Sequence, residues 1–304
     1  MSLTVLTPGL HALLVDGGRP SSRSLGVPVG GAADRAAWQL GNALVGNRPD
    51  ALALEVTLSG PTLRADHSTV AVLFGAPFEP RLNGHPLAAG VTFALHPGDV
   101  LAVGGTPAGV RAYLCVAGGF DGPTALGSRG GLAPVAAGDV LSCPPSVGTV
   151  GRSLPEVSSA VLLSTTQPPG HPTTLSALDG PQADWFAPGF FDREYTVTPA
   201  SNRMGLRLAG DALDRRPGEL VSEPVAPGAV QVTNDGRPVV LGVDGQTIGG
   251  YPKVAHVVRA DLDRLAQLRP GERLRFARVT WEDAEALAHE RTERLRGWLV
   301  RLRM

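Results

Sequence analysis

The sequence predicts a mainly β fold with a few helices. Glycine (39) and proline (27) are frequent in the 304 residues, and they interrupt the chain about every 8–12 residues, the spacing of short strands in sandwiches and barrels. Several segments between these breaks are continuous apolar runs, which is typical of strands buried on both faces. Segments with the 3.6-residue periodicity of a helix are few.

The expected strands are short runs of aliphatic and β-branched residues between turns. They cover residues 3–6, 12–15, 52–58, 70–74, 110–116, 160–163, 173–177, 231–232, 239–243 and 254–259. One turn pattern occurs three times as glycine, an acid and then a strand, at Gly98, Gly138 and Gly271. Glycine allows a positive φ in such a turn, and the acid accepts hydrogen bonds from its amides.

Three segments have helical signals. A helix over residues 34–45 begins with Asp34 as its N-cap, and a second over 261–268 begins with another aspartate. The last helix opens with Thr280 and Asp283, a variant of the capping box. Helices are therefore expected at the edges of a β-rich core.

Composition limits the classes of partner. The net charge is −1 and the pI about 6.7, so no basic field suited to nucleic acid is expected. No run approaches the ~18 apolar residues of a membrane span, and the N-terminus has no secretion signal. Cys115 and Cys143 are predicted to be free thiols in a reducing compartment, which favours a cytoplasmic location. A small molecule or another protein is the expected partner.

Several common site motifs are absent from the sequence. It has no G-x-x-x-x-G-K-[ST] phosphate loop, no G-x-G-x-x-G fingerprint and no G-x-S-x-G elbow. The seven histidines have no paired spacing, so no metal site is predicted.

Three polar segments in the first half are candidates for chemistry. Glycine-rich residues 26–34 lead into the first helix, where Asp34 either caps the helix or binds substrate. Glu55 interrupts an apolar strand, so it needs a partner such as an arginine, and structural and functional roles both remain open. Ser128 and Arg129 lie among glycines, either as a carboxylate or oxyanion receptor or as a surface loop.

Two further polar segments lie in the second half. Asn202 and Arg203 form a short polar turn in which the guanidinium could grip a carboxylate or phosphate, whereas Arg207 is expected on the outward face of a strand. Residues 244–253 surround two glycines with an amide, a hydroxyl, a phenol and an ammonium. Lys253 is the only lysine in the chain; it survived either by chance or because a compact ammonium can neutralise a developing oxyanion.

These segments give a predicted set of site residues. The catalytic candidates are Lys253, Arg203 and Tyr251. The substrate-binding candidates are Asp34, Ser128, Arg129, Asn202, Gln246, Thr247, Gly249 and Gly250.

Four motifs in this order resemble one family. They are Leu-Val-Gly-Asn at 44–47, Ser-Asn-Arg-Met-Gly at 201–205, Ser-Glu-Pro-Val at 222–225 and Gly-Gly-Tyr-Pro-Lys at 249–253. The chain is similar, nearly end to end over residues 15–276, to the allophanate hydrolase subunit 2 or biotin-dependent carboxyltransferase family. Its members include the C subunit of 5-oxoprolinase and half of the carboxyltransferase domain of urea carboxylase.

Residues 144–155 and 167–172 are rich in proline, glycine and serine and mark an internal seam near 144–172 between two β-rich lobes. The resemblance implies a cyclophilin-like β-barrel in a carboxyltransferase domain over residues 1–304. It also implies partnership with 5-oxoprolinase subunits B and A, which together open the cyclic amide 5-oxo-L-proline to L-glutamate. ATP is then required at the level of the complex.

Two alternatives remain open. One is a biotin-dependent carboxyltransferase acting on urea or a related amide, with biotin as cofactor. The other is a non-catalytic regulatory module that antagonises a kinase inhibitor. An enzyme subunit is expected to cluster Arg129, Arg203 and Lys253 in one cleft, whereas a regulatory module is expected to expose an apolar patch.

Overall fold

The computed structural model describes residues 1–146, 148–154, 171–216 and 218–303. The chain divides into two compact units. The first comprises Met1–Gly18, Asp34–Thr166 and Leu295–Met304, and the second comprises Arg19–Ala33 and Gln167–Arg294. The strand expected over residues 160–163 lies outside the described residues, as does part of the expected seam.

The first unit contains two antiparallel sheets. Its strands are β1 (Ser2–Thr7), β2 (His11–Val15), β3 (Ala53–Thr57), β4 (Thr62–Ala65), β5 (Thr69–Gly75), β6 (Arg81–Leu82), β7 (His85–Pro86), β8 (Phe93–Leu95), β9 (Val100–Ala102), β10 (Arg111–Val116) and β11 (Val140–Ser142). One sheet has the order β11–β1–β4–β9–β6–β7 and the other β2–β3–β10–β5–β8. Leu3 and Leu63 of one sheet and Leu54 and Leu114 of the other share one apolar core. The unit is therefore a sandwich.

Helix α1 (Arg35–Leu44) packs against β5 and β10 of the first unit. The Ala37 amide donates to Asp34 Oδ1 at 3.0 Å, so the predicted N-cap is confirmed. A Cβ atom at Gly41 would lie 2.9 Å from Cys115 Sγ and 3.2 Å from Phe74 Cβ. The helix can approach the sheet this closely only because residue 41 has no side chain.

A buried polar chain links the helix cap to the same sheet. The Asp34 amide donates to the Tyr113 hydroxyl at 2.8 Å, and that hydroxyl donates to Glu55 Oε2 at 2.8 Å. Arg111 Nε lies 3.4 Å from Glu55 Oε1, which confirms the predicted arginine partner. Burial, followed by the nearby Glu55 carboxylate, raises the pKa of Tyr113 well above its usual value, so the phenol remains a donor.

The second unit is built on a closed barrel, which confirms the predicted barrel fold. Its strands are β12 (Thr173–Asp179), β13 (Glu194–Val197), β14 (Gly205–Ala209), β15 (Glu223–Pro224), β16 (Ala229–Val232), β17 (Pro238–Leu241), β18 (Ile248–Gly249), β19 (Lys253–Val257) and β20 (Arg273–Arg278). The barrel order is β12–β19–β16–β17–β14–β13–β20, and a parallel pairing of β12 with β20 closes it. Strands β15 and β18 form a separate antiparallel ribbon. Arg207 is exposed on β14, as expected.

The helix expected over residues 261–268 is shorter than predicted. A 3₁₀ turn over Arg259–Asp261 precedes α2 (Leu262–Leu265). The Asp261 side chain does not cap this helix, because its carboxylate accepts from the Ser176 amide of β12 at 2.7 Å. The hydrogen bond from Ser176 thus takes the place of the predicted cap at the start of the helix.

Helix α3 (Trp281–Arg303) begins as predicted. The Thr280 amide donates to Asp283 Oδ2 at 3.1 Å, and the Asp283 amide donates to Thr280 Oγ1 at 3.2 Å. This reciprocal pair is a capping box. No helix in the described ranges has the length and apolar content needed to cross a bilayer.

The three repeated turns also form as predicted. Gly98, Gly138 and Gly271 have φ values of 90°, 90° and 89°. In each turn the following acid accepts from the backbone amide three residues before it, at 2.7 to 2.9 Å. Both cysteines are free and buried, as expected.

Candidate functional site

Lys253 and Gln231 occupy paired positions on neighbouring barrel strands. The register pairs Gln231 with Lys253 and then Val230 with Ala255, so Val254 is an extra residue in a β-bulge. Val230 and Val232 belong to the barrel core. Because side chains alternate along a strand, Gln231 points away from that core, and its partner Lys253 projects from the same outer face.

The β15–β18 ribbon covers this outer face. Glu223 of the ribbon pairs with Gly249, and Pro224 pairs with Ile248. Lys253 Nζ donates to Glu223 Oε1 in a short ion pair. The Lys253 side chain is 7% exposed, whereas that of Glu223 is 37% exposed. The ammonium is therefore enclosed while its counter-ion reaches solvent.

Gln182 supports the ion pair from a 3₁₀ turn after β12. Its Oε1 accepts from the Lys253 amide at 3.0 Å, and its Nε2 donates to Glu223 Oε1 at 3.0 Å. The Lys253 hydrogen bond is the main cause that holds the pKa of Glu223 below its usual value, and Gln182 adds to the effect. Glu223 is thus kept ionised beside the lysine.

Gln231 is almost fully buried, and its amide is only partly satisfied. Its Oε1 accepts from Gln246 Nε2 at 3.0 Å. Its Nε2 has no hydrogen-bond partner within the described part of the chain. A Cβ atom built on Gly249 would lie 2.5 Å from this nitrogen, so the space beside Nε2 exists because residue 249 has no side chain.

The connection that carries Gln246 and Gly249 is fixed at its start by Arg203. Arg203 Nε donates to Asp244 Oδ2 at 2.6 Å, and its Nη2 donates to Asp244 Oδ1 at 3.0 Å. The same Nη2 donates to the Gly31 carbonyl at 2.8 Å. The fork that the sequence offered to a ligand is thus engaged by Asp244. Asn202 Oδ1 accepts from the Met204 amide at 2.8 Å and stabilises the turn before the strand.

The remaining candidates of the second unit lie along the same connection. Thr247 is buried, and its carbonyl accepts from the Val225 amide at 2.9 Å. Gly250 is exposed, and Tyr251 is 40% exposed. The structure thus brings Gln246, Thr247 and Gly249 together with Lys253.

The other candidates belong to the first unit. Asp34 is the helix cap described above. The Ser128 hydroxyl donates to Asp16 Oδ1 at 2.6 Å, and the Arg129 amide donates to Asp16 Oδ2 at 2.7 Å. The Arg129 guanidinium is 40% exposed and lies 3.5 Å from Asp121. The expected cleft that joins Arg129 to Arg203 and Lys253 remains a prediction.

Four residues of the site were missed at the sequence level: Gln182, Glu223, Gln231 and Asp244. A signal existed for Gln231, since it interrupts the apolar run Ala-Val-Gln-Val just as Glu55 interrupts its own strand. Glu223 lay in a family motif but had no distinguishing local chemistry. Nothing local pointed to Gln182, which is 71 residues from Lys253.

The arrangement is suited to electrostatic stabilisation. Glu223 is the only acceptor for Lys253 Nζ among the described residues, and an ammonium has three N–H bonds. Two donors therefore remain for negative charge that develops on a ligand oxygen. No group of three His, Cys, Asp or Glu side chains able to hold a metal occurs in the ranges described.

Comparison with known proteins identifies the family. Residues 25–278 match the carboxyltransferase domain, subdomains A and B. The chain belongs to this carboxyltransferase family. The matched residues of this carboxyltransferase domain include the whole polar cluster around Lys253.

The curated relatives fall into two groups. This chain is 34% identical over 295 residues to the C subunit of 5-oxoprolinase from Escherichia coli strain K12, with 93% of each chain covered. It is 30% identical over 314 residues to urea amidolyase of Lachancea kluyveri, covering 93% of this chain but 17% of that protein.

Solved structures of urea-processing enzymes are similar to nearly the whole chain. The Kluyveromyces lactis urea amidolyase structure aligns with a TM-score of 0.87 at 27% identity, covering 98% of this chain and 20% of the other. The urea carboxylase structure from the same yeast has a TM-score of 0.85 at 28% identity and is covered over 29% of its length. The predicted family and fold are confirmed, and the chain spans only a small part of these larger enzymes.

Proposed function

We propose that this chain is the C subunit of an ATP-dependent 5-oxoprolinase. Together with subunits A and B it opens 5-oxo-L-proline to L-glutamate. In the net reaction the lactam C–N bond breaks, water supplies a hydroxyl to the carbonyl carbon, and the nitrogen takes up a proton. ATP hydrolysis is coupled to this opening within the complex.

The observation that carries the proposal is the reciprocal coverage. The chain and the C subunit of the Escherichia coli 5-oxoprolinase cover 93% of each other, whereas the chain matches 17% of a urea amidolyase. A match over nearly the whole length of a relative is what a separate subunit of the same kind requires.

The polar cluster of the barrel supplies the chemistry. Attack on a lactam carbonyl places negative charge on its oxygen, and a preorganised ammonium stabilises such charge. Lys253 is held by Glu223 and Gln182 in an enclosed position. Arg203 contributes by fixing Asp244 and hence the start of the connection that carries Gln246 and Gly249. Tyr251 is the exposed residue on the approach to the lysine.

Nucleotide binding is assigned to the complex and not to this chain. The sequence lacks a phosphate loop, and its only lysine is engaged by a carboxylate. No step of the chemistry is therefore routed through ATP on these residues. Subunits A and B are the proposed source of the nucleotide site.

The test is reconstitution with subunits A and B. We expect 5-oxoproline-dependent ATP hydrolysis and glutamate release only when all three subunits are present, and neither from this chain alone. Equal turnover by A and B without this chain would overturn the proposal, as would robust turnover by this chain alone.

A second function, biotin-dependent carboxyl transfer to urea or a related amide, is favoured by the TM-score of 0.87 to a urea amidolyase. Gln231 Nε2, which has no hydrogen-bond partner among the described residues, fits the ureido carbonyl of biotin as well as it fits a lactam carbonyl. Biotin, when bound, would supply the carrier for the carboxyl group, and Gln231 and Lys253 would hold its ring. Carboxylation of urea dependent on a biotinylated carrier protein, without 5-oxoproline turnover, would establish this function instead.

A further inference from the structure

The amide of Gln231 is buried, and its nitrogen has no acceptor among the residues described. The residue is 2% exposed, and its Nε2 has no partner in the part of the chain that the structure describes. A buried donor without a partner destabilises a fold. Leucine or methionine would fill the same position on β16 without that cost, so an unsatisfied donor here calls for a ligand as its acceptor.

Glycine is required at position 249 because a side chain there would not fit, and not because of the backbone conformation. Its φ does not lie in the left-handed region that favours glycine. A Cβ atom there would lie 2.5 Å from Gln231 Nε2 and 3.5 Å from its Cδ. The absence of a side chain therefore leaves the amide nitrogen facing an α-carbon, a neighbour that cannot accept its hydrogen bond.

The cover over this nitrogen is a short ribbon. It pairs Glu223 with Gly249 and Pro224 with Ile248, and beside these pairs the Val225 amide donates to the Thr247 carbonyl at 2.9 Å. The ion pair to Lys253 is formed by Glu223 of this ribbon. The Glu223 side chain is 37% exposed, so water competes for its carboxylate. A shift of Gly249 away from Gln231 would open Nε2 to a ligand next to Lys253, with Gln246 still in place.

We infer that Gln231 is a carbonyl-binding residue of this site. Its Nε2 donates to the carbonyl oxygen of a neutral cyclic amide or ureide that takes the place of Gly249 beside the amide, next to the Lys253 ammonium. Gln246 fixes the orientation of the amide, because its Nε2 donates to Gln231 Oε1 at 3.0 Å. The inference rests on the proposed function for the identity of the lactam but not for the recognition of the carbonyl.

The test measures binding of three probes to the purified chain and to the complex reconstituted with subunits A and B. The probes are 5-oxo-L-proline, the cyclic urea 2-imidazolidinone, and L-proline, which lacks the ring carbonyl. We expect Gln231→Leu to weaken binding of at least one carbonyl probe about three- to tenfold, the effect of losing one neutral hydrogen bond, and to leave L-proline unchanged. A Gln39→Leu variant on α1 controls for the substitution itself.

A second variant, Gln231→Glu, keeps the test decisive if the leucine variant does not fold. Gln231→Glu keeps the length of the side chain and the acceptor for Gln246 but cannot donate when ionised, and we expect the same loss. Wild-type affinity for both carbonyl probes in either folded variant would overturn the inference, and so would a wild-type complex that binds neither probe.

The two proposals fail separately. Weakened binding of 2-imidazolidinone in a complex that does not turn over 5-oxoproline supports the role of Gln231 and removes the oxoprolinase function. Turnover of 5-oxoproline with unchanged kinetics in Gln231→Leu supports the oxoprolinase function and removes the role of Gln231.

Discussion

Gln231 and Lys253 are direct cross-strand partners on the outer face of a closed barrel, and both are less than a tenth exposed. Polar side chains on that face of a small barrel would normally reach water. Here the β15–β18 ribbon covers them, and the β-bulge at Val254 sets the direction of the lysine. The pair therefore depends on the ribbon and on the neighbours that hold each side chain in place.

Replacing Lys253 should abolish most of the activity. We expect Lys253→Ala to lower turnover by the reconstituted complex by about 10²–10³-fold, the effect of losing one preorganised donor to an oxyanion. Lys253→Arg should be nearly as poor, because a planar guanidinium cannot occupy a site shaped for a point charge. Steady-state kinetics with melting curves for both variants provide the check. Near-wild-type turnover by the arginine variant, or loss of activity through unfolding alone, would contradict this role.

The Lys253–Glu223 pair should give stability that depends on pH. Lys253 holds the pKa of Glu223 below its ordinary 4.5. A lowered pKa contributes stability above the unfolded-state pKa and loses it as the pH falls through the folded-state value. The melting temperature of wild type should therefore exceed that of Glu223→Gln at neutral pH, and the difference should shrink in acid below 4.5.

Thermal unfolding of both proteins across this range measures the effect, with the exposed Glu219→Gln variant as control. A melting-temperature difference that stays constant down to acid pH would show that the ion pair does not carry it.

Arg203 should act through Asp244. Arg203→Lys keeps the charge but loses the two-pronged contact. We therefore expect the free energy of unfolding to fall by about 1.5–3 kcal/mol, the range for hydrogen bonds to charged groups. Asp244→Asn should change the free energy of unfolding and the KM for substrate in the same directions as Arg203→Lys does. Urea unfolding and steady-state kinetics on both variants test this. Lost activity in Arg203→Lys with unchanged stability, beside a wild-type Asp244→Asn, would indicate direct substrate binding.

Gly249→Ala should damage the site without unfolding the chain. The new Cβ would lie 2.5 Å from Gln231 Nε2, so the amide must move, and a misplaced group near the reacting atoms lowers rates by roughly 10- to 100-fold. The backbone conformation does not require glycine, so the melting temperature should change little. Gly105→Ala, whose Cβ would have one ordinary contact at 3.7 Å, is the control.

Gly41→Ala should destabilise the first unit. The added methyl would lie 2.9 Å from Cys115 Sγ and 3.2 Å from Phe74 Cβ, and overpacking of this kind costs about 1–3 kcal/mol. The matched control is Gly297→Ala in α3, where nothing lies within 4 Å. That change should stabilise the helix by up to about 1 kcal/mol. Urea unfolding of the two variants should therefore shift in opposite directions.

Local patterns predicted much of the fold because their causes are local. The Asp34 cap, the Thr280 capping box and the turns at Gly98 and Gly138 each depend on residues within one turn of the chain. The helix at Asp261 was predicted too long, and its predicted side-chain cap does not form because the distant Ser176 amide donates to the aspartate. Short strands such as β6 and β7 have too few residues for a period to be read.

The site was predicted only in part, because several of its contacts join residues that are far apart in the sequence. Residues 244–253 were identified from their composition, and Lys253 from its rarity. Its partners Gln182 and Glu223 lie 71 and 30 residues away, and only the barrel register brings them together. Arg203 was expected to bind a ligand because Asp244, 41 residues later, could not be assigned to it from sequence.

The parallel pairing of β12 with β20 determines when the barrel can be completed. Thr173 pairs with Leu274, and Ala177 pairs with Arg278, so during synthesis the first barrel strand must wait until the last has left the ribosome. Until then β12 and β13 each present an open edge to other nascent chains. Closure over so long a loop is also slow. A chain stopped before residue 273, where β20 begins, would keep these edges permanently and become a substrate for chaperones and aggregation.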